Sequence, residues 1–82
     1  MKFKEKPVVI DAIKYKGREN GMEVAKFMSC QHPYYRKENL VIGTTKGVVE
    51  AVPGDWIVKD IHGEFRPLNP MIFEAMYEKV DE

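Results

Sequence analysis

Two turn signals bracket a short alternating segment and limit what this part of the chain can form. In PGDWIVKDIHGEF, residues 53–65, Pro53-Gly54 has the chemistry of a tight turn. Proline presets the first corner, and glycine accepts a positive φ at the second. A second turn is predicted at His62-Gly63. The alternation in residues 55–61 therefore predicts a strand that turns directly into another strand.

Two further segments have the patterns of strands. Residues 7–15, PVVIDAIKY, are apolar on both faces for part of their length, which predicts a strand covered on both sides. Residues 40–52 alternate around a turn near Lys46-Gly47 and predict a hairpin. These segments favour an antiparallel sheet of about five strands.

Residues 20–30, NGMEVAKFMSC, predict the main helix. Asn20 is placed to accept at the N-cap, and Glu23 three residues later completes a capping box. Pro33 ends the helix and opens a loop, because proline cannot continue it. Val24, Phe27 and Met28 follow the i, i+3, i+4 spacing and form an apolar stripe along this helix. The predicted core comprises this stripe and Trp56, the strand residue that we expect the stripe to cover.

The C-terminal segment is open to two interpretations. Asn69 as a cap and Pro70 at the first helical position favour one or two helical turns to about Phe73. The alternation after that point favours a closing strand, although a longer helical face also fits. Residues 1–82 are thus predicted to be a single small α+β domain, with one main helix on the sheet.

Charge, hydropathy and cysteine content limit the binding partners and the cellular compartment that we expect for this chain. Thirteen basic residues balance thirteen acidic ones, so no global field favours nucleic acid. Asp11 and Lys14 interrupt the only apolar run near the start, which argues against a signal peptide or membrane helix. Cys30 is the only cysteine, so an internal disulfide is excluded and a reducing cytoplasm fits. A domain this small, without disulfide or metal, is predicted to form a homo-oligomer.

Catalytic and metal-binding patterns are weak. Cys30 and His32 lack the paired spacing of a structural zinc site. Asp60, His62 and Glu64 would share a strand face only without the turn that Gly63 predicts. We therefore expect no metal, no cofactor and no enzymatic activity, with a small enzyme as the remote alternative.

A binding surface is better supported by the sequence. The loop HPYYRK joins rings that stack on bases with cations that reach phosphates. Two further cations are expected on neighbouring strands. The candidate ligand-binding residues are Tyr34, Tyr35, Arg36, Lys37, Lys59 and Arg66. The alternative is that the tyrosines only cover the sheet while the cations stay in water.

The two ends of the chain resemble a family of short bacteriophage and prophage proteins. Its pattern is K-P-V-x-I-x-A near the start and P-G-D-W-I-x-K-x-x-x-G-E-x-x-P-x-x-P-x-x-F-x-x-x-Y-E near the end. Here these are KPVVIDAIKY and residues 53–78, about half of the chain, with residues 17–39 outside. Asp60 stands where the family more often has glycine. The resemblance implies phage origin rather than an activity.

Phage origin and the absence of a catalytic pattern together predict a non-enzymatic protein in the host cytoplasm. We expect it to sequester a small anionic ligand, such as a nucleotide-derived immune signal, as an anti-defence sponge. The alternative is a protein-interaction module that inhibits a host defence enzyme or serves phage development. Nucleotide retained by the purified protein would separate the two.

Overall fold

A computed structural model of the chain describes residue 1 and residues 9–78. Six strands, two α-helices and one turn of 3-10 helix lie within these residues. In chain order they are β1 (Asp11–Lys14), the 3-10 turn (Arg18–Asn20), α1 (Gly21–Phe27), β2 (Tyr34–Arg36), β3 (Asn39–Thr44), β4 (Gly47–Ala51), β5 (Trp56–Lys59), β6 (Phe65–Leu68) and α2 (Pro70–Met76).

The strands form two antiparallel sheets of three. The first has the order β1-β5-β6 and the second the order β2-β3-β4. The α+β class is confirmed, whereas a single sheet of about five strands with one main helix is wrong. The predicted loop at residues 34–36 pairs with β3 as a sixth strand, and the chain buries one core between two short sheets.

The core lies between the facing sides of the two sheets and under α1. It is a cluster of buried side chains from both sheets, from α1 and from the segment after β1: Tyr15, Val24, Leu40, Ile42, Ala51 and Ile57. Phe27 and Met28 are half-buried and contact this cluster. The apolar stripe of α1 therefore covers the face of β5 that carries Ile57.

Trp56 lies on the opposite face of β5 from the one predicted. Its ring stacks on Phe73 of α2, with centroids 4.4 Å apart and planes 10° apart. Alternation places Trp56 and Ile57 on opposite faces, and the apolar side chains of α1 pack in the same cluster as Ile57. The prediction that α1 covers Trp56 is wrong. Both faces of β5 are apolar, so the pattern of β5 fits a helix on either face.

The two turns predicted around β5 are confirmed. Gly54 has φ 104° and Gly63 has φ 79°, in the region that favours glycine. The capping box at α1 does not form. Instead the Asn20 side chain accepts from the Lys16 N–H at 2.7 Å and donates to the Lys14 carbonyl at 2.8 Å, so it fastens the loop after β1.

The C-terminal helix is longer than predicted. Asn69 Oδ1 accepts from the Met71 N–H at 2.8 Å, and the helix continues to Met76. The predicted closing strand is wrong for Tyr77 and Glu78, which are not in a strand, and its remainder lies outside the described residues. The predicted start of the first strand, at residues 7 and 8, also lies outside them. Neither of the described helices, each seven residues long, could cross a bilayer.

Tyr15 ties the core to the β2–β3 turn. Its ring is fully buried, and its hydroxyl donates to the carbonyl of Glu38 at 2.5 Å. Burial raises the pKa of the Tyr15 phenol above its usual value, and the neighbouring Tyr35 and Glu38 add to the rise. The folded state thus favours the neutral phenol.

We expect this tyrosine to make stability pH-dependent in alkali. A raised folded pKa contributes stability that is complete below the unfolded pKa of about 10 and is lost as pH rises through the folded value. Tyr15→Phe should lose about 0.5–1.5 kcal/mol near neutral pH, through the lost hydrogen bond. Above pH about 10, the free energy of unfolding of Tyr15→Phe should fall less steeply than that of wild type. Urea unfolding across that range tests this, and parallel pH profiles would contradict it.

Candidate ligand-binding groove

A groove of about 370 Å³ separates the second sheet from β6 of the first. On one side it is lined by the β3–β4 hairpin, and on the other by the β5–β6 turn and β6. The lining residues are Thr44, Lys46, Val49, Asp60, Glu64, Phe65, Arg66 and Pro67. The groove exists because β4 and β6 lie against each other as edges of different sheets and are not hydrogen-bonded into one ladder.

The β3–β4 turn presents a lysine at the mouth of this groove. Thr44 Oγ1 donates to the Gly47 carbonyl at 2.7 Å and accepts from the Lys46 N–H at 3.2 Å. Gly47 has φ 120°, which an L side chain rarely adopts. The local sequence TTKG therefore builds the turn and leaves the Lys46 side chain exposed.

Glu64 joins the two sides of the groove. One carboxylate oxygen, Oε1, accepts from the Thr45 N–H at 2.6 Å and from the Thr45 hydroxyl at 3.0 Å. Thr45 and Glu64 are distant in sequence and lie in turns that connect strands of different sheets. The contact therefore fixes the β3–β4 turn against the β5–β6 turn.

Asp60 shapes the β5–β6 turn. Its Oδ1 accepts from the N–H of His62 at 2.9 Å and from that of Glu64 at 3.0 Å. The hydrogen bond from Glu64 is the main cause that lowers the pKa of Asp60, and the charge of Arg66 contributes. The lowered pKa favours the carboxylate form of Asp60, and this carboxylate is engaged with backbone donors.

The cations of the groove form no ion pair with another described residue. Within residues 9–78 the one ion pair joins Arg36 to Glu50, outside the groove. Lys46 and Arg66 are exposed, while the two carboxylates that line the groove accept from donors of the protein itself. The groove therefore offers the positive groups of Lys46 and Arg66 to a ligand of opposite charge.

The predicted site in HPYYRK divides between the two faces of the second sheet. Tyr34 and Arg36 face outward, and Tyr35 faces the core, as the pairing with β3 requires. Arg36 Nη1 lies 3.2 Å from Glu50 Oε2, so its charge is already paired. The Tyr35 ring is covered by the guanidinium of Arg18, 4.9 Å from the ring centroid. This hairpin does not present two free rings beside two free cations.

Lys37, Lys59 and Arg66 lie in separate places. Lys37 sits in the β2–β3 turn with φ 56°, where its carbonyl accepts from Arg18 Nε at 2.7 Å. Lys59 pairs with Phe65 and Arg66 with Val58, so the two cations stand on opposite faces of the first sheet. Lys59 lines a second depression of about 160 Å³, which is smaller than most ligand pockets. Of the six predicted residues, only Arg66 lines the larger groove.

Sequence reasoning named only one of the eight lining residues, Arg66, as a ligand-binding candidate. Thr44, Lys46 and Glu64 come from the two turns that the sequence does predict. The missing information is that these turns meet, which depends on how the two sheets face each other. The run TTKG is a local signal for a turn, but nothing in it indicates a partner carboxylate at residue 64.

Side chains that could bind a metal ion do not cluster within the described residues. Among residues 9–78 no three histidine, cysteine, aspartate or glutamate side chains are placed to hold a metal ion. Cys30 is a half-buried free thiol at the end of α1, away from the groove lining.

Comparison of the chain with protein-family models, with curated proteins and with solved structures finds no match. The phage resemblance in residues 53–78 therefore stays a prediction from the sequence, and the functional argument rests on the groove.

Proposed function

We propose that this protein is a non-enzymatic, phage-encoded binding protein that sequesters a small anionic ligand in the groove between the β3–β4 turn and β6. A nucleotide-derived immune signal is the ligand class we favour. On this proposal the protein acts in the host cytoplasm and lowers the free concentration of the signal by stoichiometric binding.

The observation that carries the proposal is a groove of ligand size with two cations that no carboxylate of residues 9–78 pairs with. Its volume of about 370 Å³ lies in the range of small-molecule sites. Lys46 and Arg66 supply charge for a phosphate, and Val49 and Phe65 supply apolar surface for the rest of a ligand. Charged groups that face an anion in a partly enclosed site contribute roughly 1.5–3 kcal/mol each.

Binding should depend on the groove cations and not on the hairpin cation. We expect Lys46→Ala and Arg66→Ala each to weaken binding by about tenfold or more, since 1.4 kcal/mol is one decade. Calorimetric titration with cyclic nucleotides and ADP-ribose derivatives measures this. Arg36→Ala removes an equal charge outside the groove and should leave the affinity unchanged.

Two results would contradict this proposal. If Arg36→Ala lost affinity while Lys46→Ala and Arg66→Ala bound like wild type, the binding site would lie on the β2–β3 hairpin instead. Conversion of a nucleotide during incubation would show that the protein is an enzyme.

A second candidate function is supported by the outer face of the second sheet. Tyr34 and Val48 are 67% and 70% exposed on this face, beside the Arg36–Glu50 ion pair. Exposed apolar side chains rimmed by charge are typical of protein interfaces. A protein-interaction module that inhibits a host defence enzyme is therefore the alternative, favoured if purified protein binds no nucleotide.

We also propose that the same outer face joins two copies of the chain. Among the described strands, the outer edges of β1 and β2 pair with no other strand; with four and three residues they offer few backbone donors and acceptors. In a two-fold dimer, Arg36 of one copy would meet Glu50 of the other across the face.

Self-association should fail when a charge enters that face. We expect Val48→Glu to raise the dimer dissociation constant by at least about tenfold, because the added carboxylate would be buried beside Glu50. Sedimentation equilibrium measures the constant. Ile72→Glu, at an exposed apolar position of α2, is the matched control and should dimerise like wild type. A monomeric wild type would defeat the proposal.

A further inference from the structure

Glu64 lines the groove and holds two donors of the adjoining turn residue Thr45 that an anionic ligand would need. The Thr45 N–H and the Thr45 hydroxyl converge on a single carboxylate oxygen at 2.6 and 3.0 Å. A backbone N–H and a hydroxyl that converge on one oxygen form a binding arrangement for phosphate as well as for carboxylate. Lys46, the next residue along the chain, lines the same groove.

The origin of the carboxylate sets this contact apart from an ordinary turn hydrogen bond. Glu64 precedes β6 in the first sheet, whereas Thr45 belongs to a turn of the second. The turn has its own internal hydrogen bonds through Thr44 and does not need Glu64 to close. The Glu64 contact therefore satisfies two donors of this turn from outside it, and Glu64 lines the same groove as Lys46 and Arg66.

We propose that Glu64 is an internal stand-in for the ligand, and that a phosphoryl group displaces its carboxylate from Thr45. This inference rests on the proposed function, and it names the ligand class for the groove as phosphate-bearing. A phosphoryl oxygen would take the two donors of Thr45, and Lys46 and Arg66 would flank the other oxygens. Glu64 then acts as a competitor within the site, so wild type binds more weakly than the donor set allows.

The proposal has a consequence that opposes the usual effect of removing a bridging residue. Glu64→Gln keeps an oxygen that can accept from Thr45 but loses the charge. A neutral acceptor holds the donors less strongly than a carboxylate does, and it does not repel an incoming phosphate. We expect Glu64→Gln to bind inorganic pyrophosphate at least about tenfold more tightly than wild type.

Calorimetric titration with pyrophosphate at low ionic strength tests this on the full chain. Glu74→Gln, on the exposed surface of α2, changes the net charge equally and should bind like wild type. Combining Glu64→Gln with Lys46→Ala should remove most of the gain, since the freed donors act together with the lysine. Melting temperatures of all variants report whether each one is folded.

Wild-type protein supplies a second measurement that does not depend on any variant. Saturation with pyrophosphate should shift both the amide resonance of Thr45 and the side-chain carboxyl carbon resonance of Glu64. The stand-in role is overturned if the Glu64 carboxyl resonance stays unchanged while the Thr45 amide shifts.

The outcomes separate this inference from the proposed function. Equal or weaker binding by folded Glu64→Gln, with Lys46→Ala still weaker than wild type, would retain the groove as an anion site and overturn the role of Glu64. Absence of pyrophosphate binding by wild type and by Glu64→Gln alike would overturn both. AMP as a second probe distinguishes a phosphomonoester on a nucleoside from inorganic phosphate.

Discussion

Trp56→Ala should lower the free energy of unfolding by ~3–5 kcal/mol, as for truncation of a large packed aromatic. The Trp56 ring lies between the first sheet and α2, stacked on Phe73 at 4.4 Å and paired across strands with Leu68. Phe73 in turn contacts the ring of Tyr77 at 5.3 Å. Loss of the indole would detach α2 from the sheet, and the cost would be a large share of the stability of a small domain.

Trp56→Phe is the matched control. The indole Nε1 is buried and has no hydrogen-bond partner within the described part of the chain, which costs about 1–3 kcal/mol. Phenylalanine keeps a ring against Phe73 and removes that polar group, so its net effect should be small. Chemical denaturation of both variants measures the difference. Wild-type stability in Trp56→Ala would show that α2 is held by other contacts.

Gly21→Ala should destabilise the protein by about 1–3 kcal/mol, although alanine favours helices. Gly21 is the first residue of α1 and is buried, with φ −58°. A Cβ there would overlap the Tyr35 hydroxyl and lie 2.8 Å from Tyr35 Cζ. Tyr35 has little room to move because the Arg18 guanidinium covers its ring.

Two comparisons isolate that overlap. Gly43→Ala adds the same methyl group at a position with nothing within 4 Å, and it should change stability by no more than about 0.5 kcal/mol. In a double-mutant cycle, Gly21→Ala should cost less when Tyr35 is already alanine. Additive effects in the cycle, or equal effects at Gly21 and Gly43, would contradict the steric account.

The sequence predicts the local structure well because turn chemistry is local. The turns at Pro53-Gly54 and His62-Gly63 form where proline and glycine indicate them, and the 40–52 hairpin forms as expected. Asn69 and Pro70 likewise mark the start of α2. Each of these elements depends on residues within a few positions.

The relation between elements is what the sequence leaves open. Strand β5 is apolar on both faces, so periodicity alone does not decide whether Trp56 or Ile57 meets α1. The capping box does not form because the Asn20 side chain finds its partners four and six residues earlier, at Lys16 and Lys14, rather than in the first turn of α1.

The candidate site shows the same contrast between local features, which the sequence predicts, and contacts between elements, which it does not. Arg66 could be named from the sequence as a cation on a strand, but its partner Lys46 enters only because the edges of two sheets meet. The aromatic-basic loop looked like a binding site because its residues are adjacent in sequence. Strand pairing then placed Tyr34 and Tyr35 on opposite faces and brought Arg36 to Glu50.

The central claim is that an anionic ligand binds in the groove between the β3–β4 turn and β6. Amide chemical-shift mapping of the wild-type protein, titrated with ADP-ribose, tests it most directly. We expect the largest shifts at residues 44–46 and 64–66, with residues 34–37 unaffected. Shifts confined to residues 34–37, or spread over neither region, would contradict the account.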